Sequence, residues 1–97
     1  MDDAHRTQSL KELVNRFLET SPFQRQLETA MVRSTWYKVM PKIICDRTLE
    51  MYVYNNKLFL KITSSALRHE LRFNKDKILD LLKEAMPHTR LQDVVLL

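Results

Sequence analysis

Two alternating runs joined by a pair of asparagines constrain this chain more than any other part of it. Residues 48–54 (Thr-Leu-Glu-Met-Tyr-Val-Tyr) and 57–63 (Lys-Leu-Phe-Leu-Lys-Ile-Thr) alternate with period two, the pattern of half-buried strands. Asn55-Asn56 lies between them, and asparagine tolerates the positive φ that a two-residue hairpin turn needs. Such a turn fixes the register. It pairs Val53 with Leu58, Met51 with Leu60 and Leu49 with Ile62, an all-aliphatic face suited to a core. The opposite face pairs Tyr54 with Lys57, Tyr52 with Phe59 and Glu50 with Lys61.

Helical patterns flank the hairpin. Ser9-Leu10-Lys11-Glu12 reads as a capping box, followed by an apolar stripe at Leu10, Leu13, Val14, Phe17 and Leu18. Thr20-Ser21-Pro22 stops that helix, and Ser21 caps a second with Pro22 in its first position. Leu27, Ala30, Met31, Trp36 and Val39 are expected on its buried side. Pro41 ends or kinks it, and Ile43 and Ile44 fall in one more short turn. After the hairpin, Thr63, Ser64 or Ser65 caps a long helix with Leu67, Leu71, Ile78, Leu81, Leu82 and Ala85 on one side. Asn74 is a possible kink and second cap, and Pro87 lies beyond the end. Val94-Val95-Leu96-Leu97 reads as a last strand. The expected architecture is α+β in the order α-α-β-β-α-β, with helices on one face of a three-stranded sheet. Residues 1–8 are expected to be a flexible N-terminus and 9–97 a single domain.

The chain has 97 residues, enough for one modest core. It contains no glycine, so no phosphate-cradling glycine-rich loop can be written into it. Its one cysteine, Cys45, allows neither an internal disulfide nor a cysteine-based zinc site, which points to a reducing, cytoplasmic setting. The N-terminal residues lack the basic start and apolar run of a secretory signal, and no stretch has the length of a membrane span. His5, His69 and His88 share no metal-ligand spacing with Cys45 or with paired acids. No nucleophile or acid–base set is recognisable, so neither catalysis nor a cofactor is expected.

The net charge of +4 is unevenly placed. Residues 57–77 carry six basic residues (Lys57, Lys61, Arg68, Arg72, Lys75, Lys77) against Glu70 and Asp76. A polyanion would therefore meet the middle of the chain. Arg68, Arg72 and Lys75 share one helical stripe, which with Lys61 forms either a phosphate track or a solvated face. Tyr52, Tyr54 and Phe59 stand among Lys57 and Lys61. They either stack on unpaired bases, with Tyr52 and Tyr54 also candidate partner contacts, or helices cover this face or the aromatic pairs merely stabilise the sheet by cross-strand contact. Trp36 is either an interface anchor or a core residue, and the small size of the domain favours the core.

Trp36, Thr48 and the run Tyr-Val-Tyr-Asn-Asn-Lys-Leu-Phe-Leu-Lys-Ile-Thr-Ser-Ser-Ala-Leu-Arg-His-Glu-Leu at 52–71 resemble the DciA family of bacterial replicative-helicase loader proteins, its short members in particular. The likeness continues through Ile78-Leu79-Asp80-Leu81-Leu82 to Val94-Val95 and covers the chain from about Ser9 onward. It implies a KH-like domain, association with DNA and contact with the replicative helicase. Single-stranded or forked DNA is the expected ligand, and a monomer or weak homodimer the expected assembly. Trp36, Thr48, Ser64, Ser65, Leu67, Arg68, Glu70 and Leu71 match the family pattern mainly as determinants of the fold. Pro41 and Asn56 stand where many relatives have glycine, and many relatives carry a C-terminal extension beyond the last strand. Without a glycine-bearing loop, DNA would be held by the basic helix stripe or the hairpin face. A protein–protein adaptor and an RNA-binding domain are the alternatives.

Overall fold

The computed structural model describes residues 10–14, 16 and 22–97. Residues 10–14 and 16 are helical, with Leu10, Leu13 and Val14 exposed. The remaining elements are α1 (Pro22–Val39), α2 (Lys42–Arg47), β1 (Thr48–Tyr54), β2 (Lys57–Ile62), α3 (Ser65–Phe73), α4 (Lys75–Ala85) and β3 (Asp93–Leu96). The caps expected at Ser9 and Ser21, the stripe positions Phe17 and Leu18, His5 and the N-terminal tail lie outside the described residues.

The hairpin is built as its sequence dictates. Asn55 and Asn56 take φ of 53° and 62°, the two positive values of a type I′ turn. From that turn the register runs Tyr54–Lys57, Val53–Leu58, Tyr52–Phe59, Met51–Leu60 and Glu50–Lys61. The expected Leu49–Ile62 pair does not form. A register shift puts Thr48 opposite Ile62 and turns Leu49 outward, 63% exposed. The cause is Thr48, whose hydroxyl is fastened to groups behind the sheet and draws the first residue of the strand inward.

β3 runs parallel to β2, and the sheet order is β1-β2-β3. Gln92 N–H donates to Asn56 O at 2.7 Å and Leu97 N–H to Leu60 O at 2.9 Å, so the seam spans most of β2. The alternating positions Met51, Val53, Leu58, Leu60, Ile62, Val94 and Leu96 are all buried. They meet Val32 and Trp36 of α1, Leu71 of α3 and Ile78 and Leu82 of α4 in one cluster. The helices therefore cover one face of a three-stranded sheet, an α+β arrangement compatible with a KH-like domain.

Two helices depart from expectation. In α1 the buried residues are Val32 and Trp36, while Leu27, Ala30 and Met31 are exposed. The helix lies against the edge of β1, and polar groups on it do the anchoring: Thr29 Oγ1 accepts from Val53 N–H at 3.0 Å, and Arg33 Nη2 donates to Met51 O at 3.4 Å. In an antiparallel hairpin every second residue turns its backbone groups outward, and Val53 and Met51 are such residues here. The bonds that cap this edge set the rotation of α1, so apolar residues on its other side stay in water. The second departure is the break at Asn74. One long helix becomes α3 and α4, with Asn74 Nδ2 donating to Glu70 O at 2.8 Å and closing α3 rather than opening α4. Within α4, Ile78 and Leu82 are buried while Leu81 is 46% exposed and Ala85 lies on the surface.

Candidate nucleic-acid interface

Ser64 caps α3 by accepting from Leu67 N–H at 3.2 Å. The helix then crosses the C-terminal ends of β2 and β3. Leu67 and Leu71 face the core, and Arg68 and Arg72, one position further round, reach the strand ends. Arg68 Nη1 donates to Ile62 O at 3.0 Å and Arg72 Nη2 to Leu96 O at 3.3 Å. Four residues of helix advance about 6 Å, close to the spacing of about 4.8 Å between adjacent strands. That match lets two arginines on one stripe each serve a different strand. A guanidinium carries five N–H donors, so one bond to a carbonyl leaves four for other acceptors.

Lys61 is exposed at the same end of the sheet, beside the Ile62 carbonyl that Arg68 holds. Arg47 joins this end as well. Its carbonyl accepts from Thr63 N–H at 2.9 Å, and its side chain is exposed. The strand ends thus gather Arg47, Lys61, Arg68 and Arg72 into a band. Arg47 was not among the residues expected to bind, because it precedes β1 in sequence and is brought beside Thr63, at the end of β2, by strand pairing. Lys75 opens α4 beyond the Asn74 break, so it does not continue the Arg68–Arg72 stripe as a single helix.

Lys57 stands apart, at the turn end of β2. On the open face it is paired with Tyr54 on one side and Asp93 on the other, while Lys61 is opposite Glu50. Between the two lysines runs an apolar row, Tyr52–Phe59–Val95, in which Tyr52 and Phe59 stack with centroids 4.9 Å apart and planes 9° apart. Tyr54 is exposed, with the Arg25 guanidinium 5.4 Å from its ring centroid. Arg25 and Arg33 of α1 border a groove beside this edge together with Glu50, Tyr52 and Tyr54. Trp36, by contrast, is 0% exposed and presents nothing to a partner.

Among the described residues, no cluster of three His, Cys, Asp or Glu side chains could hold a metal ion. No helix among them is long and apolar enough to cross a membrane.

A family profile described as "Dna[CI] antecedent, DciA" matches residues 9–96. The chain belongs to the DciA family. Membership places it with factors associated with the replicative helicase in DNA replication, in a helicase-loader-like role. No curated protein and no solved structure matches the chain significantly. Within this DciA domain, Thr48 and Trp36 touch each other directly, and Leu67 and Leu71 pack on the core while Arg68 between them in sequence faces the rim.

Proposed function

We propose that this chain is a non-catalytic DNA-binding protein that assists loading of the replicative helicase in the cytoplasm, holding DNA along the band Arg47–Lys61–Arg68–Arg72. The observation that carries this reading is the placement of α3 across the strand ends. Cations distant in sequence belong to that one end of the sheet, and the two arginines are already ordered by a bond to the backbone. Ordered guanidiniums lose less side-chain entropy on meeting phosphate. Phosphate contacts of this kind give affinity with little sequence preference. The open sheet face is suited to a different partner. Its centre is an apolar, aromatic row, so we assign the protein contact, with the helicase as partner, to Tyr52, Tyr54 and Phe59.

The test is fluorescence anisotropy with labelled single-stranded and forked DNA at low and moderate salt. Arg47→Glu/Lys61→Glu is the preferred variant, since both side chains are exposed and no described bond of the fold passes through them. Salt-sensitive binding by the wild type, lost in this variant, supports the band. Absence of binding at low salt would leave the adaptor reading. A preference for RNA over DNA of the same length would favour the RNA-binding one.

A further inference from the structure

We propose that the His69–Phe73 pair, at the corner between α3 and α4, is a base-stacking platform that makes this protein prefer single-stranded nucleic acid. The proposal rests on the reading that the strand-end band holds DNA, and it adds which form of DNA and through which side chains.

The helix itself lays out the argument. α3 carries three neighbouring stripes of residues four apart. Leu67 and Leu71 face the core. Arg68 and Arg72 lie on the rim. His69 and Phe73 lie one further step round, in solvent. Phe73 is 76% exposed, more than any other large hydrophobic residue described. The ring contacts His69 edge-on, with centroids 4.9 Å apart and planes at 82°. That contact orients the ring and leaves most of it in water. Asn74 stops the helix immediately after it, so Phe73 stands at a corner rather than within a continuous surface.

The surroundings select the occupant. Arg72 precedes the ring, and Lys75 and Lys77 follow it, against Glu70 and Asp76. An aromatic face with Arg72, Lys75 and Lys77 close to it in sequence matches an unpaired base with its phosphates. A duplex keeps its base faces stacked inside and offers the ring nothing. A bilayer surface is held by a broad apolar helix face, and a single ring does not provide one.

The experiment compares wild type, Phe73→Ala and Phe73→Trp for binding to oligo(dT) and to a duplex of equal length. A stacked base is worth about 1–3 kcal/mol, so Phe73→Ala should weaken oligo(dT) binding on the order of tenfold and leave duplex binding unchanged. Phe73→Trp should keep the affinity, and its fluorescence should be quenched by oligo(dT) over the steady background of buried Trp36. Equal oligo(dT) affinity for wild type and Phe73→Ala overturns the platform, as does a Phe73→Trp signal that responds to phosphatidylglycerol vesicles but not to oligo(dT). If charge reversal in the band lowers binding while Phe73→Ala does not, the platform alone fails. If the wild type binds no DNA at low salt, the band and the platform fail together.

Discussion

The Trp36 indole N–H donates to Thr48 Oγ1 at 3.1 Å, and the same hydroxyl donates to Ile44 O at 2.7 Å. One side chain thereby ties α1, α2 and the start of β1 together and sets the bulge that turns Leu49 outward. Thr48→Val keeps the branched side chain and removes the acceptor, leaving the N–H of a fully buried tryptophan without its partner. The expected loss is about 1–3 kcal/mol of stability. It is read as a lowered urea midpoint with an unchanged slope, and Thr48→Ser should recover much of it.

The turn offers a test in the opposite direction. Asn55 and Asn56 both sit at positive φ. A β-branched residue there meets a steric cost of about 1–2 kcal/mol, whereas glycine meets none. Asn56→Gly should therefore hold or raise the melting temperature, and Asn56→Val should lower it. If Asn56→Val melts with the wild type, the turn is not of the type described.

Two adjacent leucines of α4 are unequal. Leu82 is fully buried and Leu81 is 46% exposed. Leu82→Ala should cost about 2–5 kcal/mol, as large-to-small core changes do. Leu81→Ala should stay within roughly 0.5 kcal/mol. Equal losses in chemical denaturation would mean that α4 is rotated from its described position.

These contrasts mark what the sequence made legible. Period-two alternation and the Asn-Asn turn determined nearly the whole hairpin register, because a two-residue turn admits one pairing. The helical faces were harder to read. The rotation of α1 is set by Thr29 and Arg33 reaching backbone groups of β1, and hydrophobic periodicity carries no signal for such bonds. Leu81 and Ala85 were assigned to the core with Ile78 and Leu82 as one i, i+3, i+4, i+7 stripe, but α4 turns only Ile78 and Leu82 fully inward. At the candidate site, Arg68 and Arg72 were visible as one stripe, but their anchorage to Ile62 and Leu96 depends on where α3 crosses the sheet. Arg47 became visible only once β1 was paired with β2. Phe73 carried a signal that could have been found: an aromatic residue off the apolar stripe, beside a helix-stopping asparagine, with cations on both sides.

Salt dependence gives the closing test of the band. Each phosphate neutralised on a single strand contributes about −0.7 to the slope of log K against log salt. Four cations, Arg47, Lys61, Arg68 and Arg72, should therefore give a slope near −3 if all are engaged. Arg47→Gln and Lys61→Gln should each flatten it by about 0.7, with little change in stability because their side chains are exposed. Lys57→Gln, at the far end of β2 between Tyr54 and Asp93, should leave the slope where it was. A slope that flattens for Lys57→Gln and not for Arg47→Gln would move the DNA from the strand ends to the open sheet face. That outcome would also return the aromatic row of Tyr52 and Phe59 to the nucleic acid, leaving the protein contact to be sought elsewhere.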